Sequence, residues 1–281
     1  MSKEINFIFS SITFLQYYIP IVIHGNKNGY KSIFYIRKNI KKYASPCTTE
    51  NKNILQKYAK KYNILIKNEI NFKTLKNLIV VDGDIYGPSE ICKQDSLILK
   101  KKYNENIKII SLCENINFNW VYAKFIDYVS YVILMNEIYA NTYKCISDKN
   151  LYYGNTKYDN ILDKLDIYKK YKLKENNKYF LILLPKCKFI KSFKIIKKEI
   201  DNIISIIENL GYTVLLKTRP KDNFFNFTQK IIISDIYPNE SLELMKISEY
   251  CLFFSSSCIE ETIMMEIPAI DFVVDDNFVR C

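Results

Sequence analysis

Residues 250–268 read YCLFFSSSCIEETIMMEIP. Tyr250 to Phe254 is apolar throughout, as a strand buried on both faces must be, and a helical pattern opens at Cys258 after three small hydroxyl residues. Strand, small-residue loop and helix N-terminus in that order make an anion site, because first-turn N–H groups lack intrahelical partners and the helix dipole is positive there. Ser255, Ser256 and Ser257 add hydroxyl donors without blocking close approach, and a diphosphate fits such a site. Ser257 and Glu260 also form an S-x-x-E capping box, so those two are equally well explained as helix-start residues. Glu261 cannot share the capping role, and a carboxylate there can accept both hydroxyls of a ribose. Within about 4 Å of a phosphate it would be repelled by a few kcal/mol at intermediate dielectric, so it has to reach the sugar and leave the phosphates to the serines.

The segments around this stretch repeat its alternation. Strands are expected at Tyr179–Leu184, Thr213–Lys217, Ile231–Ser234, Tyr250–Phe254 and Ala269–Val274. A helix from about Ile190 to Leu210 carries Ile196, Ile200, Ile203, Ile207 and Leu210 on one face and ends in Gly211 at the C-cap. Further upstream, apolar runs at Ile5–Phe9, Ser32–Ile36, Ile64–Ile66, Leu78–Val81, Lys108–Leu112 and Tyr131–Met135 alternate with helical patterns, which implies a second parallel sheet with crossover helices. The pattern breaks between Tyr152 and Asp163, so the chain divides into domains 1–153 and 154–281. The fold class is α/β, two Rossmann-like domains, each with a parallel sheet.

Composition narrows the partners. With 281 residues, 48% hydrophobic and 15% aromatic, the chain has apolar mass enough for two cores. The net charge of +11 accompanies heavy use of Lys, Asn, Ile and Tyr, a bias of AT-rich genomes, and the lysines are scattered. No zinc-finger spacing, RNP-type motif or helix-turn-helix signature accompanies them, so nucleic acid is disfavoured and small phosphate-bearing ligands are favoured. The 8 cysteines form no C-x-x-C pair and several lie in apolar runs, which indicates reduced thiols in a reducing, cytoplasmic setting rather than a disulfide or zinc framework. Residues 5–23 carry no charge, yet Asn6, Ser10, Ser11, Thr13, Gln16 and Pro20 make them costly in lipid, so a buried strand and helix is expected and no transmembrane span. Peripheral membrane contact stays open.

The run SSSCIEETIMMEIPAI resembles the nucleotide-binding segment of GT-B-fold nucleotide-sugar enzymes: glycosyltransferases, CDP-glycerol glycerophosphotransferases and UDP-N-acetylglucosamine 2-epimerases. Glu261 and Pro268 keep the spacing of that pattern, and the resemblance implies that Glu261 holds the ribose. The Gly that the families keep two residues before the Pro is Glu266 here. Gly154 to Asp159 resembles the GNPxxD segment leading into the nucleotide-binding domain, and Leu216 to Lys221 resembles the K-x-H-P-x turn, with Arg219 in the His position. Lys217 and Arg219 are then expected on phosphate, although Arg cannot act as a base. Taken alone, this turn is equally a solvated basic loop. GT-B chains normally end in helices that cross back to the first domain. None follows Arg280-Cys281, so the second domain reads as truncated, as one piece of a split protein, or as that of a degenerate relative.

For an inverting transferase a general base belongs at a strand end of the first domain. His24, the single histidine, lies at a helix end, while Asp82, Asp84 and Glu114 follow buried strands; any one could be the base or a cap. The leading expectation is a glycosyltransferase that takes a nucleotide-sugar, UDP-linked, as substrate and a glycan, lipid or protein as acceptor, without cofactor or metal. Asp82-Gly83-Asp84 matches a metal-binding D-x-D only formally. A 2-epimerase lacks support from the first turn, where Ser10-Ser11-Ile12-Thr13 is not the Gly-Thr-Arg-Pro of those enzymes. Glycerophosphotransferases keep a His where Cys113-Glu114 stands. The non-enzymatic alternative is a GT-B-like binding protein that has lost its base.

Overall fold

The computed structural model describes residues 3–9, 11–36, 49–67, 75, 77–82, 90–112, 126–134, 137–142, 144, 146–185, 193–218, 227, 231–233, 240–254 and 258–272. They fall into two compact units, Met1–Asp159 and Asn160–Cys281.

In the first unit the order is β1 (Glu4–Phe9), α1 (Leu15–Lys27), β2 (Lys31–Ile36), α2 (Thr49–Tyr62), β3 (Ile64–Lys67), β4 (Leu78–Asp82), α3 (Glu90–Asn104), β5 (Ile109–Leu112), β6 (Tyr131–Leu134), α4 (Glu137–Thr142) and β7 (Asn150–Tyr152). The strands make one seven-stranded sheet in the order β3-β2-β1-β4-β5-β6-β7. Every pairing is parallel. A parallel sheet covered by helices is dry on both faces, which is why β2 after Lys31 is an unbroken buried run and why Phe7, Phe34, Tyr18 and Phe14 pack as one aromatic cluster under α1.

The second unit runs α5 (Lys164–Tyr171), β8 (Tyr179–Leu183), α6 (Phe193–Asn209), β9 (Thr213–Thr218), β10 (Ile231–Ile233), α7 (Glu240–Ile247), β11 (Tyr250–Phe253), α8 (Cys258–Met264) and β12 (Ala269–Asp271). Its five strands, also all parallel, stand in the order β10-β9-β8-β11-β12. Side chains alternate across a strand, so Phe180, Ile182, Val214, Leu216 and Leu252 share one core with Ile196, Ile200, Ile204 and Ile207 of α6. Of the helical face read from the sequence, Ile196, Ile200 and Ile207 are buried here and Ile203 packs at the edge of the core; Ile204 joins them, while Leu210, past the end of α6, is exposed. Residues of odd number in β8 and β9 face the opposite side. On that second face Glu243 of α7, fully buried, accepts from Lys170 Nζ at 2.6 Å and Tyr171 Oη at 2.5 Å, fastening α5 to α7.

Three details depart from the sequence expectation. Strand β7 falls inside the stretch where periodicity was lost, because three residues are too few to show a pattern. The compact units divide after Asp159, not after Tyr153, because the 3-10 turn Thr156–Tyr158 is held by the first unit. Thr156 Oγ1 donates to the Tyr17 carbonyl at 2.8 Å, and the ammonium of Lys157 lies over the Tyr17 and Tyr158 rings. Finally, Glu266 does what glycine does in the resembling families. It adopts φ +53° at the end of α8, where its amide bonds to Ile263 and that of Ile267 to Thr262, so the turn before Pro268 stays tight.

Several helix ends use the left-handed region, among them Gly211 with glycine and Glu266 without. Gly211 has φ +86° and nothing within 4 Å of an added Cβ, so Gly211→Ala meets only backbone strain and should lose about 1 kcal/mol. Glu266→Gly relieves the same strain and should gain on the order of 0.5–1 kcal/mol. Urea unfolding of the full chain measures both. Equal signs would mean that the two caps are not equivalent.

Candidate functional site

In the second sheet the strand order reverses between β8 and β11, and open α/β sheets bind ligands at the carboxyl edge beside such a reversal. The segment read first in the sequence leaves β11 there and re-enters at Cys258 with α8. Ser255, Ser256, Ser257 and Arg219 lie outside the described residues. Glu261 stands in the first turn of α8, half-buried, with Glu260 beside it.

Lys217 is the unexpected element. It is the fifth residue of β9 and pairs in register with Leu183 of β8 and Ile232 of β10. Leu216 belongs to the core under α6, so Lys217 points to the other face, which α7 covers. Only 5% of the residue is exposed, and among the described residues its Nζ is sealed from solvent without a hydrogen-bond partner. Its nearest counter-charge is Oε2 of Glu240, the first residue of α7, at 3.7 Å, an ion pair too long for a hydrogen bond. Burial pushes the ammonium pKa below its ordinary 10.5, while Glu240 first, then Cys258 once ionised, and Glu261 act against that shift. The sequence places Lys217 on a phosphate; in this structure its ammonium lies 3.7 Å from the Glu240 carboxylate. Sequence reasoning missed Glu240 altogether. A single acid opening an apolar helix looks like an ordinary first-turn charge.

The catalytic candidates of the first unit separate. Asp82 is the last residue of β4, level with Leu112 of β5, at the carboxyl edge and next to the strand reversal between β1 and β4. Asp84 and Glu114 lie outside the described residues. His24 is exposed on the last turn of α1, its carbonyl accepts from Asn28 Nδ2 at 2.8 Å, and β2 starts a few residues later in register with Glu4. A crossover helix returns the chain to the amino edge, so His24 is at the end of the sheet opposite to Asp82. Among the described residues there is no group of three or more metal-ligating side chains and no helix long and apolar enough to cross a membrane. Cys251 is buried and Cys258 partly so, both as free thiols, and burial pushes the Cys251 thiol up beyond the usual range.

No protein-family model matches the chain, and no curated protein matches it in sequence. Solved structures do match in fold. The UDP-GlcNAc 2-epimerase from Methanocaldococcus jannaschii is similar over 100% of this chain and 85% of its own, with 17% identity and a TM-score of 0.54. The glycotransferase of kitacinnamycin is similar over 99% and 82%, with 6% identity and a TM-score of 0.56. A variant of the wall teichoic acid polymerase TagF is similar over 96% and 70%, with 15% identity and a TM-score of 0.58. The chain therefore has the α/β fold of the GT-B-like proteins, with two parallel Rossmann-like sheets.

The depressed Lys217 pKa has a measurable consequence. Between that lowered value and the unfolded value of 10.5 the unfolded chain binds more protons at this position than the folded one, so stability rises with pH across the window. Below both values the cost is constant. The stability of wild type relative to Lys217→Met should therefore increase as pH is raised toward 10.5, as read from thermal unfolding at a series of alkaline pH values. A flat or falling difference would show that the amine is not held in a desolvated site.

Proposed function

We propose that the chain is a GT-B-type glycosyltransferase that moves a sugar from a nucleotide-sugar donor, UDP-linked, to an acceptor hydroxyl. The observation that carries this is the position of the end of β11 and of the Cys258–Met264 helix that follows it, beside the strand reversal of the second sheet, in a fold shared with a UDP-GlcNAc enzyme and a glycotransferase. Ser255, Ser256 and Ser257 with Arg219 would neutralise the leaving diphosphate, Lys217 would add positive charge from below, and Glu261 would fix the ribose. The donor unit is 160–281 and the acceptor unit 1–159. Asp82 is the base this reading favours, with Asp84 and Glu114 as the other carboxylates that the sequence offers. Such an enzyme needs no metal, since fixed cations and backbone dipoles stabilise the charge that develops on the leaving group.

A second reading has one observation in its favour. With the single histidine at the amino edge of its sheet, a nucleotide-sugar-binding protein without a base fits the same donor site. Turnover of a UDP-sugar without acceptor would instead point to the epimerase branch.

Thermal unfolding of the purified chain with UDP, UDP-sugars, CDP-glycerol, GDP and ATP tests the donor site. A ligand at about a hundred times its dissociation constant should add roughly 2.7 kcal/mol to native stability. A rise with uridine nucleotides that is lost in Glu261→Ala is the expected result; no rise with any nucleotide overturns the transferase and binding readings together.

A further inference from the structure

Lysine is common throughout this chain, but positive charge is not evenly placed. Residues 1–159 hold 23 Lys and Arg against 13 Asp and Glu, while residues 160–281 hold 18 against 17. A genomic bias toward Lys acts on both units alike, so it does not explain why almost all of the net charge of +11 lies in the first. The parallel topology then gathers what the sequence scatters, because the strands of the first sheet start, and its crossover helices end, at the amino edge. Lys3, Lys31 and Lys108 stand at or just before the first residues of β1, β2 and β5, and Lys27, Lys60, Lys61 and Lys101 close α1, α2 and α3. All seven are exposed. The described acids of this edge are Glu4, Glu105, Asp127 and Asp148, and Glu105 is already bridged to Lys102 at 2.7 Å. Lysines in a last helical turn answer the negative end of the helix dipole. Sheets have only small net dipoles, so that account does not cover Lys3, Lys31 and Lys108.

We propose that the amino edge of the first unit is a docking face for an anionic lipid surface. The lysines span five neighbouring strands, from β3 to β5, about 20 Å at the usual strand spacing, which matches a plane of headgroups better than one small anion. Tyr30 and Tyr62 lie half-buried among them, with Lys3 Nζ 5.4 Å from the centre of the Tyr30 ring and Lys61 Nζ 5.1 Å from that of Tyr62. An apolar ring with a polar tip suits the headgroup level. Nucleic acid is the other polyanion of this chemistry, and two features favour lipid over it. The described part of the edge consists of strand starts and helix ends, neither of which lies lengthwise in a groove. Its cations are lysines, whereas the planar guanidinium of Arg is the usual choice for nucleic-acid recognition. Docking is then electrostatic and reversible, weakens as salt rises, and leaves the carboxyl edge of the same sheet turned away from the lipid.

Co-sedimentation of the full chain with vesicles of phosphatidylcholine alone, and of phosphatidylcholine with about 30% phosphatidylserine, tests the docking face. Wild type should bind the anionic vesicles, leave the neutral ones, and be released at about 0.5 M salt, where the screening length falls to roughly 4 Å. The triple variant Lys3→Gln, Lys31→Gln, Lys108→Gln should lose affinity by about fivefold for each lysine removed. Lys164→Gln, Lys169→Gln, Lys174→Gln, which changes the net charge equally in the second unit, should bind as wild type does. Equal losses in the two triple variants overturn the docking face, since the attraction would then follow net charge alone. No binding to the anionic vesicles, or equal binding to the neutral ones, overturns it too. Tighter binding to a short DNA or RNA duplex than to the vesicles assigns the face to nucleic acid and overturns the lipid. Should the first triple variant fail to fold, hydrogen exchange of wild type on the anionic vesicles decides: slowing in residues 27–31, 60–63 and 104–108 is expected, and slowing only elsewhere overturns the proposal.

Discussion

A lysine inside a parallel sheet has to be answered by something. Around Lys217 the strand is apolar on both faces, as burial between helices demands, and the ammonium interrupts a row in which Leu183 and Ile232 are its register neighbours. Removing such a charge from water costs several kcal/mol before any partner is counted. The first turns of two helices, α7 with Glu240 and α8 with Glu261, carry negative charge toward it. The Glu240 carboxylate stands 3.7 Å from the ammonium, against 2.6 Å in the Lys170–Glu243 pair of the same unit.

The rest of the second unit supports that edge. The α6 face made by Ile196, Ile200, Ile204 and Ile207 seals one side of the sheet, leaving the other side to carry α7 and α8, whose N-termini both start at strand carboxyl ends. The fully buried Glu243 fastens α7 to α5 one helical turn after Glu240. Strain at Glu266 is accepted to bring the chain from α8 into β12 in a tight turn.

Strand positions were the most legible feature of the sequence, because a strand buried on both faces is an apolar run that needs no periodicity to be seen. Tyr179–Leu183 and Tyr250–Phe253 are such runs. The three-residue β7 was not legible, nor was the hold of the first unit on residues 156–158, because the hydrogen bond that makes it joins Thr156 to Tyr17 across 139 residues. Within the site, the position of Glu261 could be read from its spacing, and the carboxyl-edge position of Asp82 from the strand before it. The amino-edge position of His24 follows only when the direction of α1 is known. Glu240 was invisible because its meaning comes from Lys217, a residue it meets only after the chain has passed through β10. Burial of Lys217 itself could not be inferred from a turn that also contains Arg219 and Lys221.

Hydrogen exchange of the full chain with and without UDP tests the central claim most directly. Slower exchange confined to the end of β9, the first turn of α7 and the first turn of α8 is the predicted result, since those amides surround Lys217, Glu240 and Glu261. Protection restricted to residues 1–159, or none in the second unit at a UDP concentration that raises thermal stability, would contradict it.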